Sequence, residues 1–176
     1  MSQVIGAPVQ TFRSLAPDEG MGSAAGYLVA MKAVEAAPGI ARSLAEVTLQ
    51  VPDPTSAIGW LISAWVNTLV AQAMQVGMAS LGLILLAMTP YIALSVLGGA
   101  TRSLQDTARA MAYVIGTFIL LEWIPGYGSS LAAGCLLVYG TAALHGLHGT
   151  PWWKALVAGA VAPAFGDIVG AFKQWF

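Results

Sequence analysis

From Pro54 to Thr101 the chain runs for 48 residues without an Asp, Glu, Lys or Arg, bracketed by Asp53 and Arg102. A helix on the surface of a water-soluble domain shows a polar face every few residues, and charged side chains are the ones most consistently left in water. A segment this long and this neutral needs surroundings without water on all sides, and the hydrocarbon core of a bilayer is such a place. Two more neutral runs follow, Trp123 to Trp153 and Ala155 to Gly166. Inside a bilayer only helices and closed barrels satisfy their own backbone. The expected fold class is therefore all-α: a polytopic membrane helix bundle with about five transmembrane helices and an interfacial or re-entrant segment.

Charged residues make up 9% of the 176, against about 25% in a soluble domain. A net charge of −1 offers no basic surface, so nucleic acid is not an expected partner. The single cysteine, Cys135, lies in a neutral run and reads as a small apolar packing residue, with no partner for an intrachain disulfide. The first twenty residues contain Gln3, Gln10, Arg13, Asp18 and Glu19 and no apolar core of a cleavable signal peptide. The first spanning helix is expected to direct insertion itself.

Residues 1–20 read as a polar lead. Residues 21–44 are Ala-rich and of helical composition; Lys32 and Glu35, three apart, can meet on one face. This segment either crosses with that pair turned toward other helices or lies at the interface. Asn67, Gln72, Gln75 and Gly77 make the middle of the long neutral run less apolar. The preferred reading is an interfacial or re-entrant stretch over 57–72, anchored by Trp60 and Trp65, then a span over 74–97 kinked at Pro90; a tight helical hairpin is the alternative. Further spans are expected at 108–123, 127–146 and 152–172, with Trp123, Tyr127, Trp152, Trp153 and Trp175 at span ends, where amphipathic rings prefer the headgroup layer. With five spans, Arg13, Arg102, Arg109 and Lys154 share one side, against Arg42 and Lys173 on the other. The positive-inside rule then places the N-terminus in the cytoplasm and the C-terminus outside.

Small residues four apart stack on one helix face and let a neighbour approach closely. Gly22 and Gly26 form one such pair; Ala158, Ala162, Gly166 and Gly170 form a row. They read as packing faces within the bundle or as faces for self-association or a partner.

Chemistry is sparse. His145 and His148 provide two ligands where zinc needs three or four, and Cys135 lies ten residues away, about 15 Å along a helix. Ser129 and Ser130 follow a glycine, but Ser130 and His145 stand about 22 Å apart on one helix, beyond hydrogen-bond reach. No metal, cofactor or catalytic set is expected. Asp167, inside the last neutral stretch, and Glu122, beside Trp123, are the candidates for an ion or proton path; a structural role near span ends is the competing reading.

The C-terminal half carries an ordered set of short motifs. Leu97-Gly98-Gly99 closes a span; Thr107, Arg109 and Tyr113 form T-x-R-x-x-x-Y; Trp123-Ile124-Pro125 is followed by Gly126 and Gly128; His148-Gly149-Thr150 precedes Lys154-Ala155. In this order and spacing the chain resembles the Yip family of membrane domains, the Ypt/Rab-interacting-protein group, in its prokaryotic form. Two positions depart from the pattern: Ala143 stands where a glycine is expected, and Pro151 where a small hydroxyl residue is usual. The resemblance implies five spans, a first span over 21–44, a cytoplasmic N-terminus in a bacterial inner membrane, and no enzymatic chemistry. The expected function is association with itself, with other membrane proteins or with lipid, as an organiser or accessory subunit. A small channel or transporter using Asp167 or Glu122 is the alternative.

Overall fold

The computed structural model describes residues 8–13, 20–50 and 57–172. These residues form α1 (Pro8–Arg13), α2 (Gly22–Leu49), α3 (Ala57–Val96), α4 (Leu104–Phe118) with a 3-10 extension (Ile119–Trp123), α5 (Gly128–His148) and α6 (Trp152–Phe172). Among the described residues the protein is all-helical. Two helices, 58–96 and Gly128–His148, are long and apolar enough to cross a membrane.

The stretch 57–96 differs from expectation. It is one continuous 40-residue helix, neither a re-entrant segment feeding a separate span nor a hairpin. Glutamine is a good helix former and a lone glycine costs only about 1 kcal/mol, so Gln72, Gln75 and Gly77 do not break a helix that packs against a neighbour. Pro90 removes the donor that would bond the Leu86 carbonyl. The Thr89 hydroxyl donates to that same carbonyl at 2.8 Å, so the helix continues without an orphaned acceptor.

The main body has two ends. The proximal end carries the 97–103 and 149–151 connections; the distal end carries the 124–127 turn. That turn is where the sequence places it, with Gly126 at φ +81°. Gly128 follows without a side chain because a Cβ there would overlap the Leu121 carbonyl. α4 with its 3-10 extension sets the height at about 32 Å, from the rises of 1.5 and 2.0 Å per residue.

Alanine and glycine let the helices approach closely. A Cβ on Gly116 would lie 2.6 Å from the Tyr27 ring, and Gly140 and Gly159 lie against Met111 and Thr141. Tyr27 also packs against Tyr113, with the rings tilted and their centroids 5.5 Å apart, and shares a hydrogen bond with Thr117 at 3.2 Å. These contacts set α2 beside α4. Further along, the Trp123 indole donates to the Glu35 carbonyl at 3.0 Å, so Glu35 stands level with the distal end.

α2 does not stop there. Residues 36–49 carry it about 21 Å farther. The Trp65 indole donates to the Thr48 hydroxyl at 3.1 Å, which sets the first half of α3 alongside. The height of the body takes about 21 residues of α3, so residues before about 75 also lie beyond the distal end. Thus α2 and α3 leave the body together as an antiparallel hairpin.

The N-terminal lead holds more structure than its polarity suggests. α1 packs on α5: Phe12 is buried among Ala110, Val114, Ala143 and Leu147, while Arg13 stays exposed. A Cβ on Gly146 would lie 2.6 Å from the Val9 carbonyl oxygen, so α1 rests directly on α5 backbone. Emptying a packed aromatic site costs about 3 kcal/mol or more. Phe12→Ala is expected to lower stability by about that amount in a detergent unfolding titration, and Gly146→Val to expose the 8–13 segment to protease while the remaining helices persist.

Candidate functional site: a histidine-centred knot at the proximal end

Four helix ends meet at the proximal end, and each needs a cap because the first and last turns of a helix leave backbone groups unpaired. α3 closes with a Schellman motif: Gly98, at φ +63°, donates to the Ser95 carbonyl and Gly99 to the Leu94 carbonyl at 2.8 Å. The Lys154 ammonium, from the first turn of α6, donates to the Leu97 carbonyl at 2.7 Å and adds a positive charge at that C-terminus. α4 opens with a capping box: the Ser103 hydroxyl accepts from the Asp106 N–H at 3.1 Å and donates to the Asp106 carboxylate at 2.8 Å. α5 ends on Gly149 at φ +61°, which donates to the His145 carbonyl.

His148 joins these caps. Its Nδ1 accepts from the backbone N–H groups of Thr101, at 3.0 Å, and Arg102, at 3.2 Å. A nitrogen that accepts two N–H bonds carries no proton, so in the neutral ring the hydrogen sits on Nε2. Nε2 donates to the Thr107 hydroxyl at 2.9 Å, and Thr107 in turn donates to the Ser103 carbonyl at 3.0 Å. The Thr101 hydroxyl donates to the His148 carbonyl at 2.7 Å. Both ring nitrogens are thus engaged, and the side chain is buried. The ring fastens the 97–103 connection and the start of α4 to the end of α5. It has no nitrogen left for a metal ion or for a substrate proton. His145 faces another partner set: its Nδ1 donates to the Thr150 carbonyl at 2.7 Å, and its ring stacks on Trp152 at 4.1 Å.

Of the residues singled out in the sequence, Gly98, Gly99, Thr107, His148 and Lys154 converge here. Gly99 is a glycine for a spatial reason, since a Cβ would lie 2.8 Å from the Thr150 hydroxyl. Arg109 is buried with its guanidinium 3.7 Å from Asp106. Ala155 lies in the core. Tyr113 points instead to α2, and Pro125 and Gly128 form the distal turn, so the motif residues serve two ends of one body.

The remaining candidates are dispersed. Gly22 and Gly26 are exposed, and a Cβ added at either would meet nothing within 4 Å. Ala158 is fully buried within the chain and is not available to a partner. Glu122 is exposed at the distal end. The side chains of Ala162, Gly166, Asp167 and Gly170 lie outside the described residues. Ser129 and Ser130 start α5 and His145 ends it, so they do not meet. Among the described residues no group of three or more His, Cys, Asp or Glu side chains is placed to hold a metal ion.

Sequence reasoning missed Thr101 and Ser103. The S-x-x-D pattern of Ser103 and Asp106 is a readable capping signal; the role of Thr101 depends on a histidine 47 residues away and has no local signal. Comparison with protein-family models, curated proteins and solved structures finds no match.

A buried N–H left without an acceptor costs about 1–3 kcal/mol. His148→Ala removes the acceptor of two part-buried N–H groups on otherwise exposed residues and is expected to lower stability by about 1–2 kcal/mol. His148→Gln, which keeps an acceptor and a donor, is expected to recover part of the loss. Thermal unfolding together with amide exchange at Thr101 and Arg102 measures both.

Proposed function

We propose that the chain is a non-enzymatic integral membrane protein of the five-span, Yip-like kind, working by association with itself, with membrane partners or with lipid, as an organiser or accessory subunit. The observation that carries this reading is the distribution of charge over the body. Arg102, Asp106, Arg109 and Lys154 gather at the proximal end; Lys32, Glu35 and Glu122 gather toward the distal end. Between these bands the described parts of α3, α4 and α5 present no charge, and the body's height of about 32 Å is close to the roughly 30 Å of bilayer hydrocarbon. α2, α3, α4, α5 and α6 then make five passes.

The hydroxyls support the same reading. Ser80, Thr117 and Thr141 each donate to the carbonyl four residues back, which hides a polar group within the charge-free height of the body. Lys32 and Glu35 pair with each other, so their charges enter the body's edge together. The excess of Arg and Lys at the proximal end makes that end cytoplasmic and the distal hairpin external. The knot around His148 reads as architecture, since its polar groups are spent on one another.

Alkaline carbonate washing of membranes is expected to leave the protein in the pellet. In native-like lipid the purified chain is expected to run as an oligomer or with a bound membrane partner. Recovery in the wash would refute membrane residence, and a strict monomer with nothing bound would refute association.

A further inference from the structure

The 97–103 connection is held to the end of α5 by a single lone pair. Thr101, Arg102 and Ser103 are exposed, while the imidazole that bonds the first two is buried. Its Nδ1 accepts from the Thr101 N–H at 3.0 Å and from the Arg102 N–H at 3.2 Å. That lone pair is also the ring's basic site. A proton added to the neutral ring goes to Nδ1, because Nε2 already carries one. Once protonated, Nδ1 is a donor facing two other donors, and both bonds to the connection are lost.

The rest of the knot does not use that lone pair. Nε2 keeps its hydrogen and its bond to the Thr107 hydroxyl. The Thr101 hydroxyl still reaches the His148 carbonyl, Gly99 still donates to the Leu94 carbonyl, and the Lys154 ammonium still caps Leu97. We propose that His148 is an acid-released latch: proton uptake at Nδ1 frees the Thr101–Arg102 backbone from the end of α5 while the helix caps on either side persist. This is a regulation that the proposed function does not contain. Only the side from which acid would act, the cytoplasmic one, rests on that reading.

The ring stands in the charged band that ends the body, outside its charge-free height. Burial pushes its pKa below the ordinary imidazole value; the Asp106 carboxylate on α4 opposes that shift, and the Arg102 guanidinium adds to it. Other ionisable groups on the surrounding elements are turned elsewhere. His145 bonds Thr150 and stacks on Trp152, Lys154 of α6 bonds the Leu97 carbonyl, and Arg109 lies 3.7 Å from Asp106. Arg13 of α1 is exposed, and Glu122 lies at the opposite end of the body. A value lowered on folding means that the latch is closed above about pH 6.5 and is lost as the pH falls through the lowered value.

Residue-resolved amide exchange of the full chain in detergent micelles, corrected for the intrinsic rate at each pH, tests the latch. From about pH 7.5 to about pH 5, protection at Thr101 and Arg102 is expected to fall about tenfold while protection at Gly99 holds. The 15N shifts of the His148 ring are expected to show hydrogen on Nε2 alone at neutral pH, and a second proton gained over the interval in which protection falls. His148→Gln, which has no titrating group, is expected to remove the step. Arg102→Gln keeps the backbone N–H and is expected to move the step to higher pH. Constant protection at Thr101 and Arg102 overturns the latch, as does a fall shared by Gly99 or one that persists in His148→Gln. Should that variant not fold, the wild-type 15N titration decides: loss of protection without proton uptake at His148 overturns the proposal.

Discussion

A backbone or hydroxyl group without access to water must find its partner inside the chain, and most of this structure follows from that requirement. Over the charge-free height of the body, helix is the conformation that meets it, and threonine and serine return their hydroxyls to their own helix. At Pro90 the requirement is met by the preceding residue, since Thr89 takes over the carbonyl that proline leaves unpaired. The helix ends are the places where helix cannot satisfy itself. At the proximal end the chain meets the requirement with two left-handed glycines, a capping box, a lysine on a helix C-terminus and a histidine with both nitrogens engaged.

The knot at the proximal end also leaves His148 with no ring nitrogen unengaged. A catalytic imidazole needs a nitrogen free to exchange a proton with substrate. His148 has one nitrogen accepting two backbone donors and the other bound to a threonine. Its value is mechanical, because it holds together segments that are 47 residues apart in the chain. With that end fixed, α3 to α6 stack with alanine and glycine at their contacts, and α1 fills a position beside α5 near the same end.

Much of the helical layout was legible in the sequence because its signals are local. The turn at Pro125 and Gly126, the closing Gly98-Gly99 pair and the start of α6 at Trp152 each depend on a residue's own conformational preference. The unbroken α3 was not legible. Gln72, Gln75 and Gly77 weaken hydropathy without opposing helix, and what keeps that half of α3 straight is α2 alongside it, a long-range contact marked by Trp65 and Thr48. Phe12 was equally hidden, since one aromatic residue in a six-residue helix leaves no periodic pattern; its place depends on a groove formed beside Gly146. For the candidate site, glycines and the histidine could be named in advance, but their convergence is a property of the packed ends.

The length of α3 joins the two halves of the interpretation. At about 60 Å it is roughly twice the thickness of bilayer hydrocarbon, so one part belongs to the body and the other stands beyond it. Spin labels placed along α3 test this division most directly, with paramagnetic relaxation by oxygen and by a water-soluble nickel complex as the readout. Labels at Leu81, Leu85 and Ile92 are expected to be oxygen-accessible and nickel-protected, and labels at Ser63 and Asn67 to be nickel-accessible. Nickel access at every position, or lipid-like protection running without a break from Ser63 to Ile92, would contradict it.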